Sequence, residues 1–327
     1  MLNDLPNTLR RLVGLPPAYR YTSPARNEGE WSMVTLCYRL GLKVEDAHQI
    51  MDSAAFPSGF RYREFTIPKR DGSPRQLLEP GPKLKQVQRR ILTMLLRKAQ
   101  PHHAAYGFRR KKSIADHAWA HANSRIIITA DIQDFFPNTT RQHVKQWWHE
   151  QGFSTPEVRL LTALTTLHGS LPQGAPTSPP LSNLVNAQMD TALERHIQAS
   201  GGIYTRYADD LCFSWPEGYA PPADFEFAVR SVLHEYGYAL HPDKGWQVWD
   251  RDEEPTITGV VITKHGSVDI PDSMKRIMRT LQQHGTAADD TRLQGYQGYQ
   301  RMITREPRPE KASAGLGKAP IKSPRLR

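Results

Sequence analysis

Three aspartates stand where a chain can gather negative charge around a metal. Asp131 closes a short apolar, β-branched run that opens with Ile126, Ile127 and Ile128, and Asp209 and Asp210 follow Ala208 between two apolar stretches, Ile203 to Tyr207 and Leu211 to Trp215. A strand buried on both faces displays a polar residue at its exit, and a short polar gap between two strands makes a hairpin tip. Carboxylates in those two places can bridge a pair of hard divalent cations, because such ions demand oxygen ligands. Two ions about 4 Å apart stabilise displacement at phosphorus by neutralising the attacking and leaving oxygens. Taken singly, each aspartate reads as a turn or capping residue, so the neighbours must decide.

The elements that would position them can be read from spacing. Tyr62 to Ile67 and Arg75 to Leu78 read as a hairpin around Lys69-Arg70-Asp71-Gly72, since Asp-Gly suits a turn needing positive φ. Lys83 to Lys98 predicts a helix with Leu84, Val87, Ile91 and Leu95 on one face and Lys83, Lys85, Arg89, Arg90 and Arg97 elsewhere. Trp31 to Met51 is helical in period and broken at Gly41, and Thr256 to Ile262 reads as one further strand. Beyond Pro271, Met274, Ile277, Met278 and Leu281 share a helical face opposite Lys275, Arg276 and Arg279. Gly285 ends that helix, and a second is expected from about Thr291 to Ile303.

The chain has 327 residues and a formal net charge of +10, which suits a polyanionic partner or simply a solvated surface. Residues Arg305 to Arg327 carry seven cations against two anions, half of that excess, in a Pro, Gly and Ala background without apolar period. Such a tail is expected to be disordered, serving solubility or a sequence-independent hold on phosphate. Cys37 and Cys212 form no CxxC pair, which argues against a zinc site and a disulfide framework and suits a reducing cytoplasm. Asp4, Arg10 and Arg11 interrupt any signal-like apolar stretch, and no run of about 18 apolar residues occurs, so a chain neither secreted nor membrane-spanning is expected.

Local motifs turn these placements into a resemblance. Tyr207-Ala208-Asp209-Asp210, preceded by Ile203-Tyr204-Thr205-Arg206, resembles the YxDD hairpin of reverse transcriptases. Asp131-Ile132-Gln133-Asp134-Phe135-Phe136-Pro137 resembles their first aspartate motif, and Leu171-Pro172-Gln173-Gly174-Ala175-Pro176-Thr177-Ser178 their LPQG-type loop. The three stand in the family's order, and the likeness runs from about Tyr62 to Ile303. Within the family it is similar to the bacterial retron type, on account of RYADD, of QGAPTSP followed by Leu181-Ser182-Asn183-Leu184, and of Ile257-Thr258-Gly259 leading into a helical pair. Two positions depart from the retron pattern: Ile257 stands where retron enzymes have Val, and His117-Ala118-Trp119-Ala120-His121 has His for the Asn of their NAxxH motif.

The resemblance implies an α/β (α+β) right-hand polymerase fold: an N-terminal helical extension over 1–55, fingers over 56–124, and a palm of antiparallel sheet plus helices over 125–265, with 141–180 contributing to the fingers. A small helical thumb over 266–304 and the basic tail over 305–327 complete it. It implies RNA-directed DNA synthesis with two Mg²⁺ ions held by Asp131, Asp209 and Asp210, Ile132 being grouped with them. Lys69, Arg75 and Lys244 would meet the triphosphate, and Gln173 and Gly174 the incoming deoxyribonucleoside triphosphate. Phe136 would be the steric gate against a ribose 2′-OH, with Phe135 beside it in the pocket or in the core. His117, His121, Thr258, Gly259, Lys275, Arg276 and Arg279 are the expected RNA-recognition residues, the two histidines having packing as an alternative role. Retron membership further implies a cognate structured non-coding RNA as template and primer, a branched RNA–DNA product, and an effector protein encoded nearby in antiviral defence. A group II intron-like or diversity-generating enzyme, and an RNA-binding scaffold restraining an effector, are the competing readings.

Overall fold

Gly41 divides the N-terminal helical stretch. At φ 62° it occupies left-handed backbone that costs glycine nothing, and it ends the helix Met33–Leu40 before Val44–Asp52 begins. A computed structural model describes residues 32–52, 56–68, 72, 74–286 and 289–306. Lys69 and most of its turn, the stretch before Ser32 and the tail beyond Glu306, with the expectations placed on them, lie outside the described residues.

β1 (Tyr62–Pro68) and β2 (Pro74–Pro80) pair as an antiparallel ribbon with Arg75 opposite Ile67. The helix Pro82–Met94 follows, with Leu84, Val87, Ile91 and the adjoining Leu95 buried as their spacing requires; beyond Leu95 the chain tightens into a 3₁₀ turn, Leu96–Lys98, where one continuous helix was expected. This apolar face enters a core with Leu36, Leu40 and Ile50 and with residues of the helices Arg141–Glu150, Thr155–Thr165 and Ser178–Val185. The N-terminal helices therefore share one core with the elements expected to form the fingers.

Four strands make the central sheet: β3 (Ile126–Asp131), β4 (Ile203–Tyr207), β5 (Asp210–Trp215) and β6 (Trp246–Asp250), in the antiparallel order β4-β5-β3-β6. Side chains alternate faces along each strand. Ile128, Leu211 and Phe213 pack toward the helices Ala187–Gln198 and Phe225–Glu235. Ile127 and Cys212 point the other way, into a core with Ala115 and Ala118 of the helix Ile114–Trp119. Both faces are covered, which is why β3 is apolar almost throughout.

Thr256 to Ile262 is two strands, not one. β7 (Thr256–Ile257) and β8 (Val260–Ile262) form a hairpin closed by Thr258 and Gly259 at φ 48° and 82°, the backbone of a two-residue turn, and β9 (Val268–Asp269) completes a small sheet. The β-branched Thr258 hid this turn, because such residues rarely adopt positive φ. The helices Asp272–His284 and Asp290–Thr304 follow, and Met278 and Ile303 join the core that holds the helix Ile114–Trp119.

Between sheet and helix lies a fully buried ion pair. Arg206 of β4 donates through Nε and Nη2 to the two oxygens of Asp190, each at 2.7 Å, and Tyr204 Oη donates to the same carboxylate at 2.8 Å. The third guanidinium nitrogen, Nη1, donates to the Ala208 carbonyl at 3.0 Å, so this cation reaches from the helix to the turn beyond β4. Burial works against the charged guanidinium, but the field of Asp190 holds its pKa above the usual arginine value. Removing one partner strands the other charge in a dry interior. Asp190→Ala is expected to lose about 3–5 kcal/mol in urea unfolding, and a loss below about 1 kcal/mol would contradict this account.

Candidate active site

The ladder brings the three aspartates together. Asp131, last in β3, is the direct cross-strand partner of Asp210, first in β5, while Asp210 is also opposite Tyr207. Ala208 and Asp209 are thus the two-residue link of the hairpin, with Ala208 at φ 58° and its carbonyl held by Arg206. The Ile132 N–H donates to the Asp209 carbonyl at 2.9 Å and ties the two motifs by backbone. Ile132 itself is 1% exposed in the palm-side core, so only its main chain is available to a metal.

Crowding three carboxylates carries an electrostatic cost. Burial first, then the charges of Asp209 and Asp131, push the Asp210 carboxyl up to about 7. Burial also raises Asp209, with Asp131 adding to the rise, while Lys244 and Arg75 pull it back. Lys244 Nζ donates to Asp131 Oδ2 at 3.1 Å. It is placed there by backbone pairing of the segment just before it with the first aspartate motif: His241 N–H to the Asp131 carbonyl at 2.7 Å, and Gln133 N–H to the Ala239 carbonyl at 2.9 Å. Hard oxygen donors short of positive charge fit divalent cations, which would relieve the repulsion that raises these pKa values.

The remaining pocket residues divide. Arg75 lies on exposed β2, near enough for its charge to be felt at Asp209. The Gln173 carbonyl accepts from the Leu78 N–H at 2.8 Å, and a Cβ on Gly174 (φ 122°) would come within 2.8 Å of the Leu78 carbonyl oxygen. That glycine admits the fingers ribbon, so its close approach is to protein backbone. Phe136 is half-buried, with Phe135 and Phe108 as ring neighbours at 5.7 and 6.1 Å. Phe135 is 3% exposed, packed on Tyr238 and beneath the Arg206 guanidinium; it is a core residue, and its place in the nucleotide pocket is withdrawn.

The RNA-recognition set also divides. His117 and His121 are fully buried, so neither offers a surface to RNA, and that expectation is corrected in favour of packing. His121 shares hydrogen bonds of 2.6 Å with Ser214 and with Thr205, bracing β4 and β5 from beneath, and burial holds its pKa well below the usual histidine range. Burial takes His117 to about 3; its ring lies 5.8 Å from that of Tyr207, and its Nδ1 meets the Thr258 hydroxyl at 3.3 Å. Thr258 and Gly259 form the β7–β8 turn. Lys275 is engaged by Asp269 and Asp272 at 2.8 and 3.2 Å, whereas Arg276 and Arg279 are exposed.

Sequence reasoning passed over Asp190, which looks like one more polar position on an amphipathic helix, although an arginine inside an apolar strand signals a buried counter-ion. It also passed over Gly107-Phe108, whose signal was an aromatic set between glycine and the cations Arg109, Arg110, Lys111 and Lys112. His102, His103 and Glu194 bring ligand-type atoms within 4.8 Å of one another. His102 Nδ1 accepts from the Ala104 N–H at 3.3 Å, which leaves the proton on Nε2, facing Glu194, where a metal would need a lone pair. His103 bonds Glu194 at 2.6 Å, and this raises its pKa. We read the group as a hydrogen-bonded pair with a packed neighbour.

Residues 67–262 match the family model described as reverse transcriptase (RNA-dependent DNA polymerase). The chain belongs to the reverse transcriptase family. Its relatives include the retron Mx162 reverse transcriptase of Myxococcus xanthus, 32% identical across 82% of this chain and 60% of that protein. The retron Ec86 enzyme of Escherichia coli is 31% identical across 64% and 65%, and the retron Mx65 enzyme of Myxococcus xanthus 34% across 62% and 51%. The resemblance to the bacterial retron type therefore holds, and the chain spans between half and two thirds of the length of these relatives. A solved apo telomerase from Candida tropicalis, truncated from its C-terminal domain, aligns with 67% of this chain and 56% of its own at a TM-score of 0.47 and 12% identity, too loose a likeness to argue from. The right-hand polymerase fold expected for the family agrees with the mixed helical and antiparallel-sheet architecture. No helix among the described residues is long and apolar enough to cross a membrane.

The raised Asp210 pKa fixes the sign of a stability effect. A carboxyl near 3.8 when unfolded and about 7 when folded favours the fold fully below the lower value, and that advantage disappears as pH rises through the upper one. Asp210→Asn is therefore expected to raise the stability of the metal-free protein at pH 8 by about 1–3 kcal/mol and to change it little at pH 4. Thermal unfolding at the two pH values checks this; an equal effect at both would show that repulsion is not the cause.

Proposed function

We propose that the chain is an RNA-directed DNA polymerase of the retron type, acting by phosphoryl transfer at Asp131, Asp209 and Asp210. The observation that carries this is the strand register, which makes Asp131 and Asp210 direct cross-strand partners and leaves Asp209 in the link beside them. Two divalent cations, Mg²⁺ by the hardness of the donors, would be held by these carboxylates and would stabilise charge on the attacking and leaving oxygens. Asp131 contributes with Lys244 close by, so its ammonium is at hand for the negative charge of the departing pyrophosphate. Arg75, on the fingers ribbon, is near enough for its charge to act on Asp209 and suits the triphosphate by its fixed charge and planar fork.

Phe136 is the gate in this reading: half-buried behind the first aspartate motif, it fills space that a 2′-OH would need. Arg276 and Arg279, exposed on the first thumb helix, suit phosphates of the template–primer duplex, which give affinity without sequence information. Choice of a cognate structured RNA then falls to surface features such as the Thr258-Gly259 turn, since folded RNA is told apart chiefly by shape and unstacked loops. Synthesis of a branched RNA–DNA hybrid, cooperation with an effector and a cytoplasmic site of action follow from the retron reading.

Asp209→Asn tests the chemistry because it removes charge from a link without opening a cavity. It is expected to lower primer extension at least about 10³-fold while RNA binding in a filter assay persists; normal extension would refute the assignment. Phe136→Val should raise the efficiency of ribonucleotide relative to deoxyribonucleotide use by at least about tenfold. An unchanged ratio would return Phe136 to the core.

A further inference from the structure

A short strap crosses the catalytic hairpin and ends in an exposed aromatic ring. Arg206 N–H donates to the Ala104 carbonyl at 2.8 Å and Tyr106 N–H to the Arg206 carbonyl at 2.7 Å, stitching the strap along the end of β4. Gly107 then passes so close to the hairpin that a Cβ there would meet Ala208 N at 2.8 Å, and its carbonyl accepts from Asn183 Nδ2 at 2.7 Å in a buried bond. Phe108 comes next, at φ 58° and 46% exposed. Its ring lies 6.1 Å from Phe136 and 6.3 Å from Tyr207.

We propose that Phe108 is a positioning residue for sugar selection, the cleft-side buttress that keeps the Phe136 ring from yielding to a ribose. The proposal rests on the reading of Phe136 as the gate. A core role would bury Phe108, and nearly half of it is exposed. Left-handed backbone at a bulky residue costs of the order of 1–3 kcal/mol and persists where surroundings over-determine it; Lys111 and His168 share it in other turns, so at Phe108 the fixing contacts and the ring neighbours carry the argument. The surroundings here are the Asn183 bond and the backbone contact at Gly107.

Geometry supplies the reason for the strain. Phe136 has Phe135 as a ring neighbour at 5.7 Å, and Phe135 is fixed in the core beneath Arg206. The other ring neighbour is Phe108, at a separation within the range of tilted aromatic pairs. A steric gate discriminates only as far as its ring cannot turn aside. With Phe135 fixed in the core, Phe108 is the partly exposed ring neighbour left to restrain Phe136.

The test compares kcat/KM for ribonucleotides and deoxyribonucleotides in Phe108→Ala, Phe108→Gly, Phe108→Tyr and Phe136→Val. Phe108→Ala and Phe108→Gly should raise the ribonucleotide-to-deoxyribonucleotide ratio about tenfold, chiefly by lowering the KM for ribonucleotides, whereas Phe108→Tyr should keep the parental ratio. Glycine also relieves the backbone strain, so Phe108→Gly should unfold at the same or higher temperature while losing selectivity, an outcome a merely structural role would not produce. If Phe136→Val shifts the ratio and neither Phe108→Ala nor Phe108→Gly does, the buttress is overturned and the gate stands. If Phe136→Val leaves the ratio unchanged as well, the gate reading falls and the buttress with it. A parallel loss of both substrates in Phe108→Ala at constant ratio also overturns the proposal.

Discussion

The buried Arg206 guanidinium is the constraint on which the rest of the site depends. Its neutralisation by Asp190 holds β4 to the helix Ala187–Gln198, and its remaining N–H groups reach the carbonyl of Ala208 inside the two-residue link. The link must take positive φ at Ala208, a conformation that alanine does not favour. A charge-assisted donor on that carbonyl, backed by a bidentate partner, supplies the restraint. Asp209 follows directly, so its direction is set by an ion pair that touches no substrate.

Other polar groups under the site serve the same end. His121, bonded on both ring nitrogens, bridges Thr205 of β4 and Ser214 of β5, and Ser124 Oγ donates to Ser214 Oγ at 2.8 Å. A buried network is stabilising only when its members are satisfied, and a histidine here must stay neutral, as its depressed pKa requires. His117 connects the β7–β8 turn to Tyr207 at the base of the hairpin. The three carboxylates thus stand on a dry support while themselves remaining partly exposed at its edge.

What the sequence made legible was local. The three aspartates, the fingers ribbon with Arg75, the helix with Leu84, Val87 and Ile91, and the thumb helices could be found because each is a periodic stretch or a short motif. Lys244 was expected at the triphosphate, and its contact with Asp131 came to light only in the fold. Asp190 was hidden because sixteen residues separate it from Arg206 and nothing in an amphipathic helix marks which acid is dry. β6 was hidden because Trp246-Gln247-Val248-Trp249-Asp250 mixes exposed and half-buried positions at the sheet edge, giving no clean alternation. The histidines misled because they stand where the resemblance has its NAxxH motif, and burial leaves them no surface to offer RNA.

Strain at this site is not spread evenly. Of the seven non-glycine residues with positive φ among the described residues, three are Lys111, His168 and Glu254; the other four, Phe108, Asp134, Ala208 and Thr258, lie respectively in the strap, after the first aspartate, in the hairpin link and in the turn that meets His117. Each is pinned by a neighbour with little freedom: Gly107 by Asn183 and the hairpin backbone, Ala208 by Arg206, Thr258 by His117. Asp134 takes αL backbone at the head of the segment carrying Phe135 and Phe136, with its carbonyl accepting from the Asn138 N–H at 2.8 Å. Strained residues of this kind cost stability one by one and survive where the surrounding fold over-determines them. The four that lie around the carboxylate cluster mean that the cores on either side of the sheet hold this edge in a shape its local sequence would not adopt alone. The rigidity of the site is therefore a property of the fold beneath it, with Arg206 as the point where the two meet.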